Sequence, residues 1–224
     1  MGKLIVIEGL DGSGKSTQTP LIAEELRREG RDVRIISFPV YESESSALVR
    51  MYLGGEFGSD PDDVNAYAAS AFYAVDRFAS YAKDWKEFYE KPDSIVLATR
   101  YTSSNEIHQL AKLDRENWDD YIVWAEDFEH EKLGIPRPDM VLYLDMKYEI
   151  AMSLVSGRSA ATGQKKDIHE LDEEYMERCH KAAAYASNRL GWKNIVCYDG
   201  KEPITPEEVS VKIMEAVIPL LDIH

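Results

Sequence analysis

Cysteine is scarce in this sequence. Only Cys179 and Cys197 occur among 224 residues. They stand at no metal-ligand spacing, which argues against a disulfide scaffold or a thiolate zinc cluster and for free thiols in a reducing compartment. Positive charge is also in deficit: 26 Lys and Arg face 41 Asp and Glu, a formal net charge of −15. A surface of that sign repels nucleic-acid backbones, so no nucleic-acid polymer is expected as a partner. No apolar run reaches the roughly 18 residues of a membrane span. The first run, Leu4 to Ile7, is too short for a signal peptide and leads at once into a glycine-rich stretch. A cytoplasmic chain without membrane association is the expectation. Internal repeats, low-complexity runs and linkers are missing too, so residues 1–224 read as one domain.

Two periodicities then alternate along the chain. Lys3–Ile7 reads as a buried strand and Lys15 to about Glu29 as a helix stopped by Gly30. Val33–Phe38 is a second strand, and Ser45–Leu53 is helical up to Gly54-Gly55. Asp60-Pro61 is a helix start, with an Asp N-cap and Pro at the first position, and that helix is expected to run on with a bend to about Tyr89. Ile95–Ala98, Met140–Leu144 and Ile195–Tyr198 complete five strands, with a helix over Asn117–Lys132. Thr205-Pro206-Glu207-Glu208 is a capping box that opens the last helix. Strands separated by helices predict an α/β three-layer sandwich, a five-stranded parallel sheet with helices on both faces. Between two helical segments, Ser156 to Lys166 is rich in Gly, Ser, Ala and Lys. This is a candidate lid, over about 156–168, with an ordinary surface loop as the alternative.

One motif carries chemistry outright. Gly9-Leu10-Asp11-Gly12-Ser13-Gly14-Lys15-Ser16 follows a strand, precedes a helix and matches the phosphate loop of P-loop NTPases. Its glycines let successive N–H groups converge on one anion, and the helix N-terminus adds partial positive charge. Lys15 is expected to reach the β- and γ-phosphates of ATP or GTP and Ser16 to ligate Mg2+, with Thr17 capping or touching the α-phosphate. A nucleotide is itself anionic, so cations must be gathered locally against the net charge. The guanine-specifying Asn-Lys-x-Asp is absent, and the length suits a small kinase better than an ATPase motor.

Several further blocks stand in order. They are Phe38-Pro39-Val40-Tyr41, Tyr73-Ala74-Val75-Asp76-Arg77-Phe78, Arg100-Tyr101-Thr102-Ser103-Ser104-Asn105, Leu133-Gly134-Ile135-Pro136-Arg137-Pro138-Asp139 and Asp167-Ile168-His169-Glu170. With the opening Val6 to Thr17 they resemble the thymidylate kinases over roughly residues 3 to 200. Tyr73 and Arg77, four residues apart, share a helix face. The resemblance implies that Tyr73 stacks on thymine, Arg77 bonds its O4 and Asn105 its edge. It implies that Tyr41 packs on the deoxyribose, that Asp11 meets the 3′-hydroxyl, and that Phe38 and Pro39 shape the wall. Arg100 becomes a clamp on the acceptor phosphate. Simpler readings stay open: a surface ion pair of Asp76 with Arg77, core packing for Phe38, a turn role for Asp11.

The loop Leu10-Asp11-Gly12-Ser13 carries no basic residue. In one subgroup of the family such loops go with lid arginines, and Arg158 is the candidate here, with Lys165 and Lys166 beside it as solvated lysines or further cations. A monophosphate acceptor is largely ionised at neutral pH, its second pKa being about 6, so no general base is needed. Charge neutralisation falls to Lys15, Arg100 and Arg158, while Glu8 orients a metal-bound water or holds Arg100. The activity implied is Mg2+-dependent transfer from ATP to dTMP, by a chain that forms a homodimer as family members usually do. Two departures stand out: Thr99 occupies the place of the usual Asp, and His108 stands where relatives often carry Tyr. The alternatives are a deoxynucleoside kinase with Glu8 as base, and a nucleotide-binding regulator impaired in catalysis.

Overall fold

The computed structural model describes residues 1–162 and 168–222, apart from the side chains of 156, 158–162, 170 and 171. Five strands form one parallel sheet in the order β2-β3-β1-β4-β5: β1 Lys3–Glu8, β2 Asp32–Ser37, β3 Ser94–Thr99, β4 Met140–Asp145 and β5 Lys193–Val196. The alternation of side chains along a strand divides the core in two. Ile5, Ile7, Ile95, Leu97, Leu142 and Leu144 face Ile22, Ala23 and Leu26 of helix α1 (Lys15–Arg28) on one side of the sheet. Leu4, Val6, Val96 and Ala98 face Trp85 and Tyr89 on the other. Parallel strands covered on both faces need continuous apolar sequence, which Leu4–Ile7 and Ile95–Ala98 provide.

Helices α2 (Ala47–Leu53), α3 (Ala66–Ser80) and α4 (Lys86–Tyr89) lie between β2 and β3, and α5 (Asn105–His108) and α6 (Trp118–Glu126) between β3 and β4; α4 ends beside the amino end of β1, where the Tyr89 carbonyl accepts from Gly2 N–H. The helix expected from Asp60 is interrupted. Asp60 and Asp63 do form a capping box, but it closes only a 3-10 turn over Pro61–Asp63. Val64 then leaves the helix with extended backbone and packs with Tyr52, Ala69 and Ile168. Asn65 caps a new start, its side chain accepting from Ala68 N–H. The bend before Tyr89 is a π-helical turn over Tyr81–Trp85. A second π-helical turn, Asp127–Lys132, extends α6 and brings Glu129 and His130 inward, where both are buried.

The candidate lid differs from a loop in its first half, because α7 (Tyr148–Thr162) carries through Arg158. Lys165, Lys166 and Asp167 lie outside the described residues, as does the side chain of Arg158. Helix α8 (Ile168–Leu171) follows, then α9 (Glu173–Arg189), capped by Asp172. The fifth strand sits earlier than expected. Tyr198–Asp199 (β6) instead pairs with Glu202–Pro203 (β7) in a small hairpin, with Gly200 at φ 60° in its turn. Helix α10 (Pro206–Leu221) opens on the expected Thr205–Glu208 capping box.

Candidate active site

The phosphate loop leaves β1 at Glu8 and enters α1 at Lys15. Two of its glycines are required by geometry. Gly12 has φ 81°, and a Cβ there would lie 2.4 Å from the Ala151 carbonyl oxygen. Gly14 has φ 96° and turns the chain into α1. Lys15, 8% exposed, curls over the loop: Nζ donates to the carbonyls of Gly9 (2.7 Å) and Leu10 (2.8 Å) and lies 3.8 Å from Asp11 Oδ1. Ser16 and Thr17 are exposed at the helix start. Ser13 Oγ is buried and finds no hydrogen-bond partner among the described residues.

Arg100 is the hub of the site. It follows β3 with φ 62°, a left-handed conformation that costs a non-glycine residue about 1 kcal/mol or more. Its Nη2 donates to Asp11 Oδ1 at 2.5 Å, and Nη1 lies 3.1 Å from His108 Nε2 and 3.7 Å from Glu8 Oε1. Glu8 is fully buried and accepts from Gly9 N–H, Ser103 Oγ and Ser104 Oγ, so the loop and the segment after β3 share one carboxylate. Burial alone would raise the Asp11 carboxyl, but Arg100 and then Lys15 outweigh it and hold it well below the usual range. Burial opposes the charge on Arg100 as well; Asp11 and Glu8 overcome it and keep the guanidinium protonated.

One cleft of about 970 Å³ takes in the loop and the rest of the site. Of the residues picked out by sequence, Asp11, Gly12, Gly14, Lys15, Ser16, Thr17, Phe38, Pro39, Tyr41, Tyr73, Arg77, Thr99, Arg100, Asn105 and His108 line it. Gly9, Ser13 and Glu8 are buried beside it without lining it. Among the described residues its charged lining is Lys15, Arg50, Arg77 and Arg100 against Asp11, so cations are gathered here despite the acidic surface. The Phe38–Pro39 peptide is cis, and Asp76 holds the following turn by accepting from Val40 N–H and Ser45 Oγ. Arg77 is therefore not paired with Asp76. It is 1% exposed and bonds Glu129 through Nε (2.6 Å) and Nη2 (2.5 Å). Asn105 Nδ2 donates to the same Glu129 at 2.9 Å. Thr99 Oγ1 lies 2.8 Å from Thr19 Oγ1 on α1.

Sequence reasoning missed Arg50 and Gln109 on the cleft wall and Glu129 behind it, and it singled out the block containing His169 without giving that residue a role. Arg50 is held by the Tyr41 and Ser43 carbonyls. His169 stacks on His108 at 5.7 Å across 61 residues, a contact with no local signal. Burial, and next the Arg100 charge, push the His108 imidazole well below its ordinary value. Its Nε2 therefore accepts from Arg100, leaving Nδ1 to face Cys179 Sγ at 3.5 Å.

A parallel sheet in this order, a glycine loop from its first strand into a helix, and an arginine-centred cleft at the strand ends define a P-loop phosphotransferase. Comparison with known proteins is consistent with this. The model of the family described as thymidylate kinase matches residues 7–206. The thymidylate kinase of Mycobacterium tuberculosis (strain ATCC 25618 / H37Rv) is 31% identical over 192 residues, covering 84% of this chain and 87% of that one. A probable thymidylate kinase of Thermococcus onnurineus is 34% identical over 182 residues, covering 80% and 83%. A solved thymidylate kinase structure from Candida albicans shares the fold, with a TM-score of 0.70 at 20% identity over 98% of this chain and 92% of that one. The chain belongs to the thymidylate kinase family.

Proposed function

We propose that this chain transfers the γ-phosphoryl group of ATP to dTMP, giving dTDP and ADP. The observation that carries the reading is the lining of one cleft. The phosphate loop and the Tyr73, Arg77, Asn105 group lie in it together, with Arg100 bonded to the loop's Asp11. A phosphate oxygen of dTMP attacks the γ-phosphorus, and the bond to the β,γ-bridging oxygen breaks, its electron pair leaving with ADP. The attacking oxygen is already ionised, so the residues supply position and charge. Lys15 swings from the loop carbonyls onto the donor phosphates, and Arg100 clamps the acceptor phosphate. Arg158, in the stretch of α7, is kept as the candidate further cation for the transferring group. Tyr73 stacks on the base, Tyr41 covers the sugar, Asp11 meets the 3′-hydroxyl, and Phe38 with Pro39 forms the wall.

The residues present suit a magnesium ion carried in on ATP. Ser16 offers a hard hydroxyl oxygen exposed at the helix start, Thr99 another on the wall of the same cleft, and the loop packs so closely at Gly12 that a Cβ there would meet the Ala151 carbonyl. Among the described residues no group of three or more His, Cys, Asp and Glu is placed to hold a metal alone. Ser16 would hold the ion, which neutralises charge on the phosphates. Glu8 serves as a holder of Arg100: three hydrogen bonds and full burial leave it no path to a nucleoside hydroxyl, which weighs against a deoxynucleoside kinase.

No described helix is long and apolar enough to cross a membrane, and we place the protein in the cytoplasm. Tyr67, Val75 and Phe78 on α3 are exposed apolar side chains, which support a homodimer through that helix. The deciding experiment is a coupled ADP-release assay with Mg2+-ATP and dTMP, dUMP, dCMP, AMP, GMP and thymidine. dTMP should lead, with dUMP poorer and purine monophosphates near background. Faster turnover of AMP, GMP or dCMP, or of thymidine over dTMP, would overturn the assignment.

A further inference from the structure

We propose that Glu129, which does not line the cleft, sets base selectivity by fixing the donor and acceptor groups that Arg77 and Asn105 present to the base. The inference rests on the dTMP reading above and adds a positioning residue to it. Glu129 stands in the π-helical turn Asp127–Lys132 and is 1% exposed. Its Oε2 accepts from Arg77 Nε, and its Oε1 accepts from Arg77 Nη2 and Asn105 Nδ2. Asn105 Nδ2 also lies 3.3 Å from the Ser70 carbonyl oxygen.

A carboxylate and a carbonyl only accept. The Asn105 amide therefore has one permitted orientation, nitrogen toward Glu129 and Ser70, and the atom it can offer a base is Oδ1. The fork of Arg77 that grips Glu129 is likewise committed, and Nη1 is the amino group left for the cleft it lines. The wall then shows a donor beside an acceptor. A 4-oxopyrimidine carries the complement, an acceptor O4 beside a donor N3–H. A 4-aminopyrimidine inverts both positions, pairing donor with donor and acceptor with acceptor. Sites that hydrogen-bond a substrate group reject analogues lacking it by large factors, because their own buried groups are left unpaired. Glu129 also cancels the charge on Arg77, so the base end of the cleft does not compete for a phosphate.

The test is Glu129→Gln, whose amide sets its NH2 against an Arg77 donor in either orientation, and against Asn105 Nδ2 as well in one of them, so that the fixed presentation of the pair is lost. KM for dTMP should rise at least about tenfold with kcat within about threefold, because the reacting phosphates are untouched. The dTMP:dCMP ratio of kcat/KM should fall at least about tenfold, and KM for ATP should hold. Should that variant not fold, Glu129→Asp decides: its shorter side chain cannot hold Arg77 and Asn105 together, and KM for dTMP should rise and the dTMP:dCMP ratio fall in the same directions. Either folded variant with KM and the dTMP:dCMP ratio within about twofold of the parent would overturn the proposal. Asn105→Ala separates the two levels: unchanged KM for dTMP there would refute the base-reading role itself, whatever Glu129 does.

Discussion

Acidification should loosen this protein through its buried histidines. His169 on α8 is 6% exposed, with Nε2 2.8 Å from Tyr52 Oη, the oxygen to which Lys112 Nζ also donates at 2.7 Å. Burial, and next the Lys112 charge, push its imidazole from 6.5 down to about 3. Between those values the unfolded chain takes a proton that the folded chain refuses. The stability it contributes is thus complete above 6.5 and is lost as pH falls toward 3. At about pH 5, some 1.5 pH units below the unfolded value, the loss is about 2 kcal/mol at about 1.36 kcal/mol per pH unit. For a chain of this size that is about 4–8 °C in Tm. His108 shifts in the same direction and adds to the loss. Glu106 opposes it: burial and the neighbouring Glu126 push its carboxyl well above 4.5, so its contribution weakens as pH rises through the same window. The parent's curve is a difference of these effects, and a variant isolates one of them. His169→Gln cannot titrate there yet keeps an amide for Tyr52 Oη. Between about pH 7.5 and 5 its Tm should fall by about 4–8 °C less than the parent's in thermal unfolding. Parallel curves for the two proteins would refute the argument.

Lys15→Ala should abolish transfer with little change in Tm, since the two carbonyls to which Lys15 Nζ donates belong to the loop and not to the packed core; activity within about threefold, about 0.7 kcal/mol of barrier, would rule out its role. Arg77→Ala should weaken dTMP binding and also destabilise the fold by about 3–5 kcal/mol, because it strands the Glu129 carboxylate; urea unfolding indistinguishable from the parent would contradict the pairing. Thr99→Asp should let turnover saturate at lower Mg2+ and run faster, since a carboxylate can still meet the Thr19 hydroxyl while adding charge near the metal-bearing phosphates; an unmoved Mg2+ dependence would put position 99 beyond the metal's reach.

What the sequence disclosed divides by the range of the interaction behind it. Runs such as Leu4–Ile7 and Ile95–Ala98 announce covered strands because both faces of a parallel strand must be apolar. The phosphate loop and the Thr205 capping box are contained within eight residues or fewer, and both stand in the structure where the sequence puts them. The Asp60 start was also a real cap, but a cap says nothing about whether the next turn can stay helical. Val64 finds a better place against Tyr52 and Ile168, and the helix restarts. The composition of 156–166 reads as a loop, yet Ala160 and Ala161 are strong helix formers, and α7 continues to Thr162.

The same division explains why the residues facing a substrate were easier to find than those that orient them. A guanidinium, an amide and an aromatic ring advertise their chemistry by type. Arg77 and Tyr73, on one helical face, both line the cleft as their spacing requires. The partner that decides what Arg77 can offer stands 52 residues away in a π-helical turn, and the adjacent Asp76 misleads. Neighbours in a helix sequence point about 100° apart. Asp76 therefore turns to Val40 and Ser45 and braces the Phe38–Pro39 wall, while Arg77 turns to Glu129 and Asn105. Both are buried, each satisfied by a different part of the chain. Two adjacent opposite charges on one helix were thus two supports of the same cleft, and only the fold could separate them.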